Sequence, residues 1–243
     1  EGMAWLTRQP LLALTAWREA LRRAGPQRAE LYGRLLSNAT QSNPVVARML
    51  EEYAIGQHDL ALAYLDRLSG PQFNAALQRL LENHAALEIL TGDERSKLFA
   101  LWGERGDLAQ LASFVDSHPE LLRVAWRGVA RFRAANKEFE GAYELAKQFG
   151  ERPALPQKAN SSSIQELERS LYASPNNFAV GFALYDEQVR AGRLDDALMT
   201  VRHFTDEQNA PAYFHFLEAE AWAAKQNWER AWTAWQAFEA AKK

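Results

Sequence analysis

Two stretches decide the fold: Gly192-Arg193-Leu194-Asp195-Asp196-Ala197-Leu198-Met199-Thr200-Val201-Arg202-His203-Phe204 and Gln226-Asn227-Trp228-Glu229-Arg230-Ala231-Trp232-Thr233-Ala234-Trp235-Gln236-Ala237-Phe238. Five residues of the first, Gly192, Leu194, Ala197, Val201 and Phe204, each stand 34 positions before their counterparts Gln226, Trp228, Ala231, Trp235 and Phe238. From Leu194 onward the steps are three, four and three, which place the side chains on one stripe of a helix. The small residue, Ala197 or Ala231, lets two helices of a hairpin approach closely. The bulky residue three before it packs at the hairpin turn. The large residues four and seven after it face the neighbouring helix.

Outward from this pair the whole chain reads as helix after helix. Apolar residues recur at helical steps, as in Leu11, Leu14, Trp17 and Leu21, or Phe73, Leu77, Leu80, Leu81 and Leu87. No stretch of alternating β-branched residues is bounded by turns, so the expected class is all-α without strands. Gly25-Pro26, Gly70-Pro71 and Gly92-Asp93 are turn signals. Asn43-Pro44 reads as a helix cap followed by proline at the first helical position, where the missing N–H costs nothing. Thr91 with Glu94, and Ser163 with Glu166, fit reciprocal capping boxes. His58-Asp59 reads as part of a turn.

The 34-residue period and its small-residue position resemble the tetratricopeptide repeat (TPR) family. Pro175-Asn176-Asn177, Leu184, Gly192, Leu194 and Ala197 look like its consensus closing one unit and opening another. Trp126, Val129, Ala130, Phe139, Ala142 and Ala146 fit a further repeat, and Trp102, Gly106, Leu108 and Val115 a weaker one. The resemblance covers residues 93–241 and implies a TPR-like α-α superhelix, a solenoid of antiparallel helix pairs. The division expected from it is a degenerate helical-repeat region over 1–92, TPR-like repeats over 93–149, a linker or long loop over 150–162, and TPR-like repeats over 163–243. Within 1–92, Tyr53, Gly56, Leu60 and Ala63 read as a degenerate hairpin. The sequence departs from the family pattern at Tyr185, which replaces a small residue, at Glu218, which replaces an apolar one, and at Phe214, one place off. Leu111 to Ala142 is 31 positions, short of a full repeat. The 163–173 helix reads as the second helix of a repeat that lacks its first.

The chemistry available is bounded by composition. The chain has 243 residues, 47% hydrophobic and 24% charged, a formal net charge of -3 and no cysteine. Disulfides, thiolate metal sites and cysteine nucleophiles are excluded. The charge gives no field for nucleic acid. No apolar run approaches the ~20 residues needed to span a bilayer. Glu1-Gly2-Met3 has neither the basic start nor the apolar core of a signal peptide. The compartment stays open, with one reading being a bacterial exported or membrane-tethered protein whose targeting segment has been removed. His84 and Glu88 share a helical face but make only two metal donors, so a solvated face is the expectation. No nucleophile motif, phosphate-cradling glycine loop or H-E-x-x-H occurs. Glu51-Glu52 and Asp195-Asp196 are neighbours that point in different directions on a helix. No catalytic residue, cofactor or metal is therefore expected.

Binding features remain. Arg123, Arg127 and Arg131 step by four along one helix. The resemblance places Arg127 and Arg131 facing the concave groove, where arginine forks suit carboxylates and phosphates. It places Phe182, Tyr213 and Phe216 similarly, either as a recognition surface or as rings packed between helices. Residues 1–50 carry Arg8, Arg18, Arg22, Arg23, Arg28, Arg34 and Arg48 against Glu19 and Glu30. This excess suits either an acidic partner or membrane surface, or a solvated face. A terminal repeat needs a polar outer face, yet the last helix carries Trp232, Trp235 and Phe238. Self-association, a missing helix, or an earlier part of the array folding back would each cover them; Trp5 and Leu6 pose the same question at the other end. The functional expectation is a non-catalytic scaffold that binds a protein, as a peptide or partner helix, in its concave groove. The alternatives are an assembly module of a larger, envelope-associated complex joined through its terminal helices, and a regulatory domain of an all-α enzyme.

Overall fold

A computed structural model describes residues 6, 8–82, 89–156, 163–207 and 209–242. The described residues form α-helices, two short 3-10 turns and no strand. The chain divides into two compact units, Glu1–Val129 and Ala130–Lys243. The division falls inside a helix, not at 92 or within 150–162.

In the first unit the helices are α1 (Pro10–Arg23), α2 (Arg28–Ser42), α3 (Pro44–Ile55), α4 (His58–Leu65), α5 (Gly70–Glu82), α6 (Gly92–Arg105) and α7 (Leu108–Ser117), followed by α8 (Leu122–Ala135), which runs on into the second. They pack in two rows. Helix α1 meets α3 and α3 meets α5, while α2 meets α4 and α4 meets α6. Consecutive helices from α1 to α5 also touch and join the rows. The core between them is apolar, with Tyr32, Leu50, Leu60 and Phe73 fully buried. Leu6, at the start of the described chain, is buried too; Trp5 lies outside the described residues.

The caps expected from sequence are present. Asn43 Oδ1 accepts from the N–H groups of Val45 at 3.1 Å and Val46 at 3.3 Å, with Pro44 opening α3. At Thr91 and at Ser163 the backbone N–H donates to the glutamate three residues on, and that glutamate's N–H donates back to the hydroxyl. These bonds hold the carboxyl groups of Glu94 and Glu166 below the usual carboxylate range. His58-Asp59 is not a turn. It opens α4, and the Asp59 carboxylate accepts from Arg28 Nη1 with both oxygens at 3.0 Å. Close backbone contact joins α6 to α8, where a Cβ on Gly103 would stand 3.1 Å from the Gly128 Cα.

The second unit adds α9 (Phe139–Phe149), α10 (Ile164–Ala173), α11 (Phe178–Arg190), α12 (Leu194–Thr205), α13 (Tyr213–Ala224) and α14 (Trp228–Ala241). Three hairpins, α8/α9, α11/α12 and α13/α14, share one turn. Lys137, Gly192 and Gln226 have φ of 64°, 73° and 56°. The next N–H, at Glu138, Arg193 or Asn227, donates to the carbonyl five residues back, at Arg133, Gln188 or Trp222. This is the six-to-one bond of a Schellman cap, which satisfies a carbonyl at the helix end. Two residues after the left-handed residue each second helix starts, and its Ala142, Ala197 or Ala231 is fully buried.

The packing order is α10, α11, α12, α13, α14 and then α9, so the helix that precedes these five in sequence stands beside the last of them. Helix α10 buries only Leu167 and turns a mostly polar face outward, as an end helix must. At the other end α9 covers α14. The Tyr143 ring meets Trp235 edge-on at 6.2 Å, and its hydroxyl donates to Glu220 Oε1 at 2.7 Å. Residues 151–156 are irregular, and residues 157–162 of the expected linker lie outside the described residues. The segment starts tied to α14, with Lys242 Nζ donating to the Glu151 carbonyl at 3.1 Å.

The departures from the family pattern have local reasons. Tyr185 is buried and its hydroxyl donates to the Leu217 carbonyl at 2.9 Å, linking α11 to α13. The smallness it lacks is supplied one turn earlier by Gly181, where a Cβ would stand 2.1 Å from the Phe204 ring. Phe214, one place out of register, stacks on Phe204 at 4.5 Å.

Candidate binding groove

Helices α12, α13 and α14 leave an open cleft on one side of the second unit. It is organised around Glu218, the charged residue at an expected apolar position. The Glu218 side chain is only 16% exposed. Its carboxylate accepts from Trp222 Nε1 at 3.2 Å and lies 3.9 Å from Arg202 Nε. One turn separates Glu218 from Trp222, so both project from the same face of α13. The Arg230 guanidinium, from α14, sits 4.6 Å from the centre of the Trp222 ring. A cation–π contact of this kind is worth about 0.5–1 kcal/mol at an exposed site. Three helices thus hold two cations, a carboxylate and an indole in fixed relation, with His215, Thr233 and Asp206 along the rim. The arrangement offers hydrogen bonds, charge and an aromatic edge, which is the equipment of recognition.

The residues singled out in sequence fall in different places. Arg123, Arg127 and Arg131 are exposed along α8, and Arg127 lies 4.9 Å over the Trp126 ring. Arg127 and Arg131 both have partners. The division of the chain leaves Arg123 and Arg127 in the first unit and Arg131 in the second. Phe182 and Phe216 are buried and offer a partner no open surface, which corrects their reading as a recognition surface. Phe182 meets Tyr213 edge-on at 6.1 Å, and Phe216 packs at 5.9 Å from Trp235 and 5.6 Å from Phe238. Tyr213 is half-buried, and burial pushes its phenol above the ordinary value.

Self-association through Trp232, Trp235 and Phe238 is likewise corrected. All three are buried within the chain. The reason is the return of α9, which supplies at the end of the stack the cover that a following helix would supply in a longer array. A Cβ on Gly150, just after α9, would stand 2.4 Å from Trp235, so the packing there is tight.

The basic excess of residues 1–50 is dispersed. Arg22 and Arg23 pair with Glu19, Arg28 pairs with Asp59, and Arg18 lies over the Tyr53 ring at 5.1 Å. His84 and Glu88 lie outside the described residues. Among the described residues no group of three His, Asp or Glu is placed to hold a metal ion, and no helix is long and apolar enough to cross a membrane. In the sequence Glu218 stands out only as a charged residue at a position where the repeat pattern has an apolar one. The available signal was the pair itself, since a carboxylate and an indole four apart can bond to each other.

Compared with protein families, curated proteins and solved structures, the chain matches none.

Proposed function

We propose that the chain is a non-catalytic interaction scaffold of TPR-like solenoid design, which receives a peptide or partner helix in the groove of α12, α13 and α14. The observation that carries this reading is the fixed set of Arg202, Glu218, Trp222 and Arg230 on an open face. A charged residue at a position the repeat would fill with an apolar one costs packing. Here it is held in place by an indole N–H and a cation, as in sites ordered before binding. Two further observations support the repeat design, namely the turn shared by three hairpins and the 34-residue spacing of the buried residues in the last two, α11/α12 and α13/α14.

The test is selection of peptides from a random display library on the full chain, followed by calorimetry. Selected peptides should bind with Kd of about 1–100 μM. The double change Trp222→Ala and Arg230→Glu should weaken them at least about tenfold while the circular dichroism spectrum stays helical. Peptides that bind the double variant as tightly as the parent would remove the groove from consideration.

A further inference from the structure

A second cleft, in the first unit, has a different character. It lies on the row formed by α2, α4 and α6 and is lined by Arg34, Arg67 and Lys97, with Ser37 and Asn38 between them. The three cations come from three successive members of the row, Arg34 on α2, Arg67 just past α4 and Lys97 on α6. They stand 33 and 30 positions apart in sequence, close to one repeat length, the spacing at which a stacked array returns to the same face.

The Arg67 guanidinium is positioned over α2. Its Nη2 donates to Ser37 Oγ at 2.6 Å. Its Nη1 lies 2.8 Å from where a Cβ on residue 33 would stand, so it lies close against the α2 backbone at Gly33. Two carboxylates also line the cleft, Glu30 and Asp66. Asp66 is engaged by Arg105 at 3.1 Å, which leaves Glu30 as the one carboxylate of the lining outside an ion pair, against three cations.

We infer that this cleft is a binding site for a phosphate monoester. A monoester carries about -1.5 to -2 charges at neutral pH and three acceptor oxygens. That matches three cations lining one cleft, with a hydroxyl and an amide in the same lining, better than a singly charged carboxylate does. Arginine presents two donors to phosphate and lysine a point charge, so the set supplies both kinds of contact. A polyanion would need a longer basic track than three residues on a chain of net charge -3. The site is separate from the groove of the second unit and does not depend on it.

The experiment is calorimetric titration of the full chain with inorganic phosphate, glycerol phosphate and a phosphoserine peptide, with acetate, sulfate and the unmodified peptide alongside. Saturable binding of the phosphates is expected at Kd of about 1 mM or tighter. Arg67→Ala and Lys97→Ala should each weaken it about tenfold, the effect of removing one charge-assisted contact. Arg123→Ala, outside the cleft, should leave it unchanged, and thermal melts check that each variant is folded. Tighter binding of glycerol phosphate than of the phosphopeptide would assign a small molecule as the source, and the reverse order would assign a phosphorylated protein segment. No saturable heat with any phosphate, equal binding of acetate or sulfate, or undiminished binding in the Arg67→Ala, Lys97→Ala double variant would overturn the assignment.

Discussion

The second unit uses one turn three times, whereas the described turns of the first, through which it reaches a two-row packing, follow no single pattern. In the second, a left-handed residue at 137, 192 or 226 is followed by the same long backbone bond and the same buried alanine. In the first, α3 follows an extended, capping Asn43, α4 follows Gly56 in the right-handed region, α5 opens on Gly70 with φ of 56°, and α7 follows the Asp107 cap. Both units bury a continuous apolar core. The comparison teaches that the shared turn and the apolar stripe are separable, since helices pack on the stripe whether or not the turn recurs. A chain can keep the stripe after losing the turn, so the first unit is helical by pattern yet poor in recognisable repeats.

The sharpest way to break this comparison is at the helix that closes the second unit. Trp235→Ala should destabilise the protein by about 3–5 kcal/mol, the usual cost of truncating a buried large aromatic residue. Hydrogen exchange should then rise in α9 and α14 while α1 to α5 keep their protection. Unchanged exchange in α9 would mean that it does not depend on α14 for its place.

Smaller effects separate ways of achieving closeness. Gly181→Ala should cost about 1–3 kcal/mol by denaturant titration, because its methyl would meet a Phe204 ring already clamped by Phe178 and Phe214. Gly103→Ala in the first unit should cost less than Gly181→Ala, since its nearest neighbour stands at 3.1 Å instead of 2.1 Å. The reverse order would show that backbone contact between α6 and α8 is the less forgiving of the two.

Alkaline titration probes the first unit's core. Burial, with Glu51 adding to it, pushes the Tyr64 phenol up to about 12. The proton is bound more tightly in the folded chain than in the unfolded one, so this contribution is complete below the unfolded value of about 10 and is lost as pH rises from there toward about 12. Tyr64→Phe should flatten that part of the stability profile. A profile identical to the parent's would remove Tyr64 as a cause.

The smallest expected effect tests the shared turn. Gln226→Gly and Lys137→Gly should each leave stability unchanged or raise it by up to about 1 kcal/mol, because relief of the left-handed strain opposes a more flexible unfolded chain. Gly192→Ala should lower stability by about 1–2 kcal/mol although nothing lies within 4 Å of the added methyl. If both kinds of change are neutral, the turn is imposed by the helices and does not help to set their spacing.

The sequence by itself determined the helical class, the caps at Asn43, Thr91 and Ser163, and the equivalence of Ala197 with Ala231. Each of these rests on residues within a few positions of one another or on a fixed repeat, and local hydrogen bonding and periodicity are visible in the order of residues. Only the tertiary structure decided that α9 covers α14, that Phe182 and Phe216 are core, and that Trp235 has no exposed face. It also decided that Arg34, Arg67 and Lys97 share a cleft and that Glu218 is held by Trp222 and Arg202. These facts depend on which helix stands beside which. An amphipathic stripe announces that a face will be buried, but any apolar stripe of similar width would serve as its partner, and only the packed chain selects one.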